Sequence, residues 1–341
     1  MQNLLETVQS ARIILFMGEK DTGKTTLITQ IANHLFRGGA RVGIVDADVG
    51  QSVIGPPTTV GFGEVTAELT RLSDAALRQF AFVGAVTPKG NMLQHLLATR
   101  KMVDDALACG MENILIDTTG FVAGHAGRLL KEQKIAAVSP DVILCAQRGD
   151  ECEHILRQYA RFARPRILRV APAAECGTKS SAFRQNYRAA MFRQHFAAAR
   201  EITCSLAEIG IFDSILLSGR ALAPEQIASL AAALAPEPEN AILWAERLEN
   251  ELTLVTAAPL GYADFARLKG ALPNVGYINH LVRGEINDLL LGALDRQGNC
   301  LALAVLRSLD FQAKRAALFT SAPPDEIAGL QWSRFQMEMD K

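Results

Sequence analysis

Apolar and polar positions in the first half of the chain form short blocks that predict strands and helices in turn. Continuous apolar runs bounded by turn residues predict buried strands at 13–17, 41–46, 80–86, 113–117, 141–146 and 166–170. Apolar residues three or four apart predict helices that begin near residue 24 and cover 91–108, 125–137 and 151–162. The segment 53–79, rich in Gly and Pro at its start, is predicted to loop across one face. Strands that alternate with helices predict an α/β fold with a doubly wound, mainly parallel sheet.

The pattern changes from about residue 206, where short apolar runs and turns replace the alternation of strands and helices. These runs predict antiparallel strands at 241–244, 252–256, 289–294, 300–309 and 316–320. We therefore expect two domains, an α/β domain over 1–205 and a smaller β-rich domain over 206–341. No cluster of His, Cys or carboxylate residues stands out in the second domain, so packing or partner binding is its expected role.

A glycine-rich loop follows the first predicted strand and precedes the first predicted helix. Its backbone N–H groups and the helix N-terminus are suited to hold the phosphates of a nucleotide. Lys24 is expected to reach the outer phosphates, and the Thr25 hydroxyl is expected to bind Mg²⁺. The sequence thus predicts a nucleoside triphosphate site formed by Gly18, Glu19, Lys20, Asp21, Thr22, Gly23, Lys24, Thr25 and Thr26.

Polar residues follow three further predicted strands, where the carboxyl ends of parallel strands bring ligands together. Asp46 and Asp48 lie two apart after the second strand, so one can serve a metal while the other faces an attacking hydroxyl. The alternative is an acidic turn that only caps the strand. Taken alone, residues 87–91 form an ordinary turn and helix cap, and residues 117–120 resemble the D-x-x-G loop of nucleotide switches.

Positive charge is concentrated in one region of a chain whose formal net charge is −1. Between residues 157 and 200 the only acid is Glu175. Arginine pairs bidentately with phosphate, which favours a mobile lid over the triphosphate, while a solvated helix face is the alternative. The basic residues of this run are Arg157, Arg161, Arg164, Arg166, Arg169, Lys179, Arg184, Arg188, Arg193 and Arg200.

The amino-acid composition predicts a folded protein of the cytoplasm. Hydrophobic residues make up 49% of the 341 positions, which is enough for a folded core. No apolar run approaches the ~20 residues of a membrane span, and no secretion signal is evident at the N-terminus. The six cysteines show no C-x-x-C pair, so reduced thiols in a cytoplasmic protein are expected for Cys109, Cys145, Cys152, Cys176, Cys204 and Cys300.

Taken in order, these motifs resemble the Clp/Grc-type polynucleotide 5′-hydroxyl kinases of RNA-processing machinery. The resemblance spans most of residues 10–205 and rests on the ordered set: the phosphate loop with Asp21, D-x-D-x-G-Q at 46–51, T-P-x-x-N at 87–91, T-x-G-aromatic at 118–121, and paired F-R motifs at 183–196. It implies that ATP and Mg²⁺ are used to phosphorylate the 5′-hydroxyl end of RNA or DNA. Many members of the family carry tryptophan where Phe121 stands here.

The resemblance also implies a role for each matching residue. Lys24 would stabilise the transferring phosphoryl group, Thr25 and Asp46 would hold Mg²⁺, and Asp48 would accept the proton of the 5′-hydroxyl. The lid would be formed by Arg184 and Arg188. Gln51 would also support the metal and its waters, and Arg193 would support the lid pair. The residues implied on the acceptor side are Gln51, Thr87, Asn91, Gly120, Phe121 and Arg193.

Two other functions stay open at this point. A nucleotide-driven switch or scaffold is suggested by the D-x-x-G-like loop, although residues 147–150 do not match a guanine-recognition motif. A small-molecule kinase is the third possibility. The sequence leaves open RNA versus DNA, ATP versus GTP, and any protein partner.

Overall fold

The structure is a computed structural model that describes residues 2–172, 180–234 and 241–337. The chain divides into two compact units, residues 1–197 and 198–341. Within the described residues, no helix is both long enough and apolar enough to cross a membrane.

The first unit is built on a seven-stranded sheet. Its strands are β1 (Ile13–Met17), β2 (Val42–Ala47), β3 (Thr59–Glu64), β4 (Ala76–Phe82), β5 (Asn113–Thr118), β6 (Val142–Ala146) and β7 (Arg166–Val170). They lie in the order β4-β3-β2-β5-β1-β6-β7. The five neighbouring strands β2, β5, β1, β6 and β7 are parallel to one another, and β3 is antiparallel to both of its neighbours, β2 and β4. The predicted mainly parallel α/β sheet is confirmed.

Helices cover both faces of this sheet, and each face has its own apolar core. The core on one face includes residues from α2 and β1, and the core on the other includes residues from α3 and α5. All five residues of β1 are buried, as expected for a central parallel strand. The helices are α1 (Gln2–Gln9), α2 (Lys24–Arg37), α3 (Met92–Ala108), α4 (Gly124–Val138), α5 (Glu153–Leu156) and α6 (Ser181–His195).

Two sequence-based assignments in this unit are wrong. The segment 53–79 contains β3 and the start of β4 rather than a loop alone. Gly61 and Gly63 of β3 hide its strand character, yet the fold needs Gly61 because a Cβ there would collide with the Ile54 carbonyl oxygen. The predicted helix 151–162 ends at Leu156. The residues after it form turns in which a backbone N–H donates to the carbonyl oxygen three residues earlier, as Tyr159 does to Leu156.

The second unit contains two sheets in its described residues. Their orders are β10-β11-β12-β13 and β8-β16-β15-β14-β17-β9. The strands are β8 (Arg200–Ser205), β9 (Gly210–Phe212), β10 (Arg220–Ala221), β11 (Ile242–Leu248), β12 (Glu251–Thr256), β13 (Tyr277–Val282), β14 (Leu289–Leu294), β15 (Cys300–Asp310), β16 (Arg315–Thr320) and β17 (Gly329–Gln331). The helices are α7 (Pro224–Ala233), α8 (Tyr262–Ala271) and α9 (Arg283–Ile286). The β-rich character predicted for this region is confirmed.

The expected boundary at 205/206 falls eight residues too late. Strand β8 pairs with β16 over its whole length, with Cys204 opposite Ala316, so residues 200–205 belong to the sheet of the second unit. Arg200, the last basic residue of the arginine-rich run, therefore belongs to the second unit. A strand of six residues that follows a helical segment carries no local signal of the sheet that it will join.

Candidate nucleotide site and lid

The phosphate loop joins β1 to α2 at the carboxyl edge of the sheet. Gly23 precedes α2 with a φ of 76°, and Gly18 has a φ of 152° and packs so closely on the Ala146 carbonyl oxygen that a Cβ would collide with it. The Lys24 side chain is buried, and its Nζ donates to the carbonyl oxygens of Gly18 at 3.1 Å and Glu19 at 2.6 Å. The loop thus directs a cation and the N-terminus of a 14-residue helix toward the same point.

A cleft of about 460 Å³ opens at this loop. It brings together residues from the phosphate loop, the acidic loop after β2, the end of β5 and the lid helix α6. Its lining consists of Lys20, Asp21, Thr22, Gly23, Lys24, Thr25, Thr26, Asp48, Gln51, Val53, Arg71, Leu72, Ser73, Asp117, Gly120, Phe183 and Tyr187.

Asp117 belongs to the polar residues that the sequence predicts at the carboxyl ends of the strands, although the sequence assigns no specific role to it. It ends the apolar strand β5, and its Oδ2 accepts a hydrogen bond from the Thr25 hydroxyl at 3.0 Å. Its Oδ1 is buried and has no hydrogen-bond partner within the described residues. Burial raises the pKa of Asp117 to about 6, with the charge of Asp48 acting in the same direction and Lys24 opposing it. The signal that could have identified it is the run Ile-Leu-Ile-Asp, an acidic residue at the end of a buried strand.

Asp46 lies beneath the acidic loop and does not line the cleft. Its Oδ1 accepts from the N–H of Asp48, and its Oδ2 accepts from the N–H groups of Val53 at 2.6 Å and Ile54 at 3.0 Å. Burial raises the pKa of Asp46 to about 7, and the nearby Asp117 adds to the effect. This geometry argues against the expected role of Asp46 as a metal ligand, because its oxygens are already used to shape the loop.

Asp48 lines the cleft, as Asp117 does, but it is half-buried, whereas Asp46 and Asp117 are buried. Its Oδ1 accepts from the N–H of Gly50 at 3.2 Å. Gln51, on the same turn, also lines the cleft. The acidic loop therefore presents one carboxylate and one amide toward the phosphate loop.

Two buried lysines of α4 lie behind these carboxylates, and the sequence analysis missed both. Lys131 Nζ donates to Thr118 Oγ1 at 2.7 Å and to the Thr119 carbonyl oxygen at 2.6 Å. Lys134 Nζ lies 3.3 Å from His95 Nε2. Burial lowers the pKa of Lys134 to about 7 and holds that of Lys131 well below its usual range. In the sequence, only their spacing of three residues indicates that the two lysines lie on the same face of α4.

Helix α6 contacts both loops through two of its three arginines. Arg184 Nη2 donates to Asp21 Oδ2 at 2.6 Å, and these side chains are only 18% and 10% exposed. Arg188 Nη1 donates to the Gly50 carbonyl oxygen at 3.4 Å. The Ser180 hydroxyl caps the helix by accepting from the N–H of Phe183. Arg184 and Arg188 thus lie against the phosphate and acidic loops, as the lid interpretation expects.

Some of the remaining residues expected to contact the acceptor line the cleft, and others do not. Gly120 lines the cleft, and a Cβ there would lie 2.5 Å from the backbone nitrogen of Lys20, so only glycine allows this contact. Thr87, Asn91, Phe121 and Arg193 are absent from the cleft lining. Residues 87–91 nevertheless follow a segment that packs on the acidic loop, because a Cβ on Gly50 would lie 3.0 Å from the Val86 carbonyl oxygen.

The rest of the arginine run does not act as one surface. Arg164 pairs with Asp141 and Arg169 with Glu153, each at 2.7 Å, on the β7 side of the sheet. Arg193, in the last turn of α6, is exposed. Lys179, Glu175 and Cys176 lie outside the described residues. The other five cysteines are free thiols.

A glycine loop between a strand and a helix, with a carboxylate at the end of the adjacent strand, defines a P-loop protein. Within that class, the chain belongs to the CLP1 P-loop family. The family model of the mRNA cleavage and polyadenylation factor CLP1 P-loop matches residues 18–198, which makes the chain a member of a nucleotide-binding family.

Individual relatives agree with this family. The chain is 27% identical over 336 residues to a polyribonucleotide 5′-hydroxyl-kinase of Pyrococcus abyssi, covering 97% of this chain and 88% of that one. It is 26% identical over 196 residues to the polyribonucleotide 5′-hydroxyl-kinase Clp1 of Xenopus tropicalis, covering 55% of this chain and 44% of that one. A solved structure of a Clp1p–Pcf11p complex has the same fold, with a TM-score of 0.60 at 10% identity over 98% of this chain and 77% of that one.

Proposed function

We propose that this protein is an ATP-dependent kinase that transfers a γ-phosphate to the 5′-hydroxyl end of RNA. The observation that carries the proposal is the presence of Asp48 and the phosphate loop in the lining of one cleft. The names of the relatives support a polyribonucleotide as the acceptor. They also favour the kinase over the switch or scaffold, which would need no phosphate acceptor.

In the proposed reaction the phosphate loop and Lys24 hold the triphosphate and stabilise the charge that develops on the transferred group. Arg184 and Arg188 bring further positive charge from the lid. Phosphoryl transfer depends mostly on positioning and on neutralising charge, which is what these groups supply. Asp48 accepts the proton of the attacking 5′-hydroxyl, since it is half-buried and lines the cleft beside the phosphate loop. Asp21, the other half-buried carboxylate of the lining, is paired with Arg184.

Thr25 and Asp117 are the residues proposed to hold Mg²⁺. The unpartnered, buried Oδ1 of Asp117 and the Thr25 hydroxyl beside Oδ2 fit a hard cation that prefers oxygen ligands. Among the described residues, no group of three or more His, Cys, Asp or Glu could hold a metal by itself, so the phosphates would complete the coordination. Mg²⁺ would neutralise phosphate charge. Asp46 would act only by shaping the loop that carries Asp48.

The test is a transfer assay with γ-labelled ATP, Mg²⁺ and matched RNA and DNA oligonucleotides that carry either a 5′-hydroxyl or a 5′-phosphate. We expect label on the 5′-hydroxyl RNA and none on either 5′-phosphate strand. A preparation that binds ATP but labels no 5′-hydroxyl strand would overturn the proposal. Comparing the RNA and DNA strands, and repeating the assay with GTP, resolves the acceptor and donor preferences.

A further inference from the structure

Part of the cleft extends beyond the phosphate and acidic loops and has no role in the reaction as proposed above. It is lined by Val53, Arg71, Leu72 and Ser73 and by two aromatic side chains of α6, Phe183 and Tyr187. Its aromatic, aliphatic and cationic lining contrasts with the polar phosphate loop.

The position of the aromatic pair follows from helical geometry. Phe183 and Tyr187 are four residues apart and therefore share one face of α6. Each precedes a lid arginine by one residue, which rotates the aromatic face by about 100° from the arginine face. Because the arginines contact the phosphate and acidic loops, the aromatic face is turned toward the far part of the cleft.

Tyr187 contacts the loop that carries Asp48. Its hydroxyl donates to the Ser52 carbonyl oxygen at 3.4 Å, which ties the ring to the loop that carries Asp48. Burial raises the pKa of the Tyr187 hydroxyl; Asp46 acts in the same direction and Arg71 opposes it. Phe183 is 52% exposed and lines the same cleft. One anchored ring and one accessible ring provide apolar faces on which a planar group can stack.

Arg71 supplies positive charge to the same part of the cleft and acts on the Tyr187 hydroxyl. Its guanidinium is 3.8 Å from Asp74, and its side chain is 79% exposed. An exposed ion pair at that distance is weak, so a phosphate can compete for the guanidinium. Stacking rings that face a cation suit a nucleobase followed by a phosphodiester.

We propose that Tyr187, Phe183 and Arg71 form a subsite for the 5′-terminal nucleobase of the polynucleotide acceptor and the phosphate that follows it. The inference rests on the proposed kinase function. The acceptor is favoured over the base of the triphosphate because the wall adjoins the loop of Asp48, where the acceptor hydroxyl must lie. The lid helix then has two tasks: its arginines neutralise the phosphates, and its rings select a nucleic-acid end.

The test compares Tyr187→Leu, Tyr187→Phe and the wild-type protein. With a 5′-hydroxyl RNA oligonucleotide, Tyr187→Leu is expected to raise KM for the acceptor roughly 5- to 100-fold, the range for loss of one base–aromatic stack. Its Kd for ATP should change by less than about twofold, because the ring does not serve the phosphates. Tyr187→Phe keeps the ring and should stay close to wild type. Phe162→Leu, which removes an exposed aromatic side chain outside the cleft, is the matched control.

A second acceptor, whose 5′-terminal nucleotide lacks its base, makes the test specific. Wild type should bind it more weakly by about the same factor, and Tyr187→Leu should no longer distinguish the two acceptors. Equal discrimination by both proteins would overturn the subsite. A weakened Kd for ATP with an unchanged acceptor KM would also overturn it and assign the wall to the base of the donor.

Equilibrium binding separates this inference from the kinase proposal. Fluorescence anisotropy of both oligonucleotides, with a non-hydrolysable ATP analogue present, measures the subsite without phosphate transfer. Wild type that binds the base-bearing RNA more tightly but transfers no phosphate would overturn the kinase and support the subsite. Wild type that transfers phosphate but binds both oligonucleotides equally would overturn the subsite alone.

Discussion

Three carboxylates that lie close together in the first unit have separate tasks because their surroundings differ. Asp46 accepts three backbone hydrogen bonds, Asp117 accepts from Thr25, and Asp48 faces the cleft. Burial raises the pKa of the first two and makes their ionisation depend on what else binds in the site. At the scale of the residue, the proposed roles can therefore be separated by conservative amide substitutions.

Asp48→Asn is expected to leave ATP binding within about threefold of wild type and to lower kcat by on the order of 10² to 10⁴, the usual contribution of a general base. The substitution keeps the shape of the side chain but removes its ability to accept a proton. Titration with ATP and single-turnover transfer measure the two effects separately. A variant that loses binding and transfer equally while remaining folded would contradict the role of general base.

Asp46→Asn is the matched control for that substitution. One amide oxygen cannot replace both carboxylate oxygens toward Asp48, Val53 and Ile54, so the free energy of unfolding should fall by about 1–3 kcal/mol. Asp48→Asn should cost less, since its side chain makes a single loop contact. Urea denaturation of the two variants provides the comparison.

The raised pKa values of Asp46, about 7, and Asp117, about 6, predict how stability depends on pH in metal-free solution. The folded-state pKa lies above the unfolded value of 3.8, so the fold favours the protonated acid. This contribution is complete below about pH 4 and is lost as the pH rises through 6 and 7.

Asp117→Asn should therefore flatten the stability profile between pH 5 and pH 8 by on the order of 2 kcal/mol. Urea unfolding of wild type and variant at four pH values tests this, and the difference between them cancels the titration of Lys134. Saturating Mg²⁺ and ATP should remove part of the wild-type loss, because bound metal favours the ionised carboxylate. A profile that Asp117→Asn leaves unchanged would exclude Asp117 as the titrating group.

The sequence was informative at this scale wherever chemistry is encoded in consecutive residues. The loop from Gly18 to Thr26 could be assigned because its flanks predict a strand and a helix. The place of Asp117 at the end of a strand could be predicted, but its contact with Thr25 could not. Lys131 and Lys134 could not be assigned, because their contacts involve residues far along the chain that meet only in the folded sheet. A lysine on a helix normally indicates a solvated face, and nothing local distinguishes a buried one.

At the scale of the element, α6 combines two faces with different chemistry. Its arginines at 184 and 188 contact the phosphate and acidic loops, whereas Arg193 is exposed in the last turn. The resemblance could suggest all three as lid residues. Only the orientation of the helix separates them.

Arg184→Gln is accordingly expected to lower kcat by on the order of 10³, as for other arginines that stabilise phosphoryl transfer. Arg193→Gln, a change of the same kind on the same helix, should alter kcat by less than about threefold. Steady-state transfer rates at saturating ATP and RNA provide the measurement. Similar losses in the two variants would show that the net charge of the helix matters, rather than the contact with Asp21.

Elements were predicted well where their patterning is regular and poorly where a local rule is broken. Strands β1 and β7 match their predicted bounds, and α3 differs by one residue. Strand β3 was missed because close packing against Ile54 requires a glycine that normally weakens a strand.

At the scale of the whole molecule, the chain consists of two units with separate cores, and the boundary between them depends on one strand. The sequence correctly indicated an α/β unit followed by a β-rich one. It could not assign β8, because only the pairing with β16 shows to which sheet that strand belongs.

Two truncations test the boundary. The fragment 198–341 should unfold cooperatively, whereas 206–341 should have a Tm lower by at least about 5 °C or aggregate, because removing β8 exposes the edge of β16. Circular dichroism melts and light scattering measure both outcomes. Equal melting of the two fragments would indicate that β8 adds nothing to the second unit.

The lysines at 131 and 134 have a practical consequence beyond the reaction. Both amines are almost fully shielded from solvent, at 1% and 0% exposure, so acylating reagents that label surface amines should pass them by. Their modification would mark molecules in which α4 has detached from the sheet. Mass spectrometry of these two positions can therefore count the opened fraction of a population without any engineered probe.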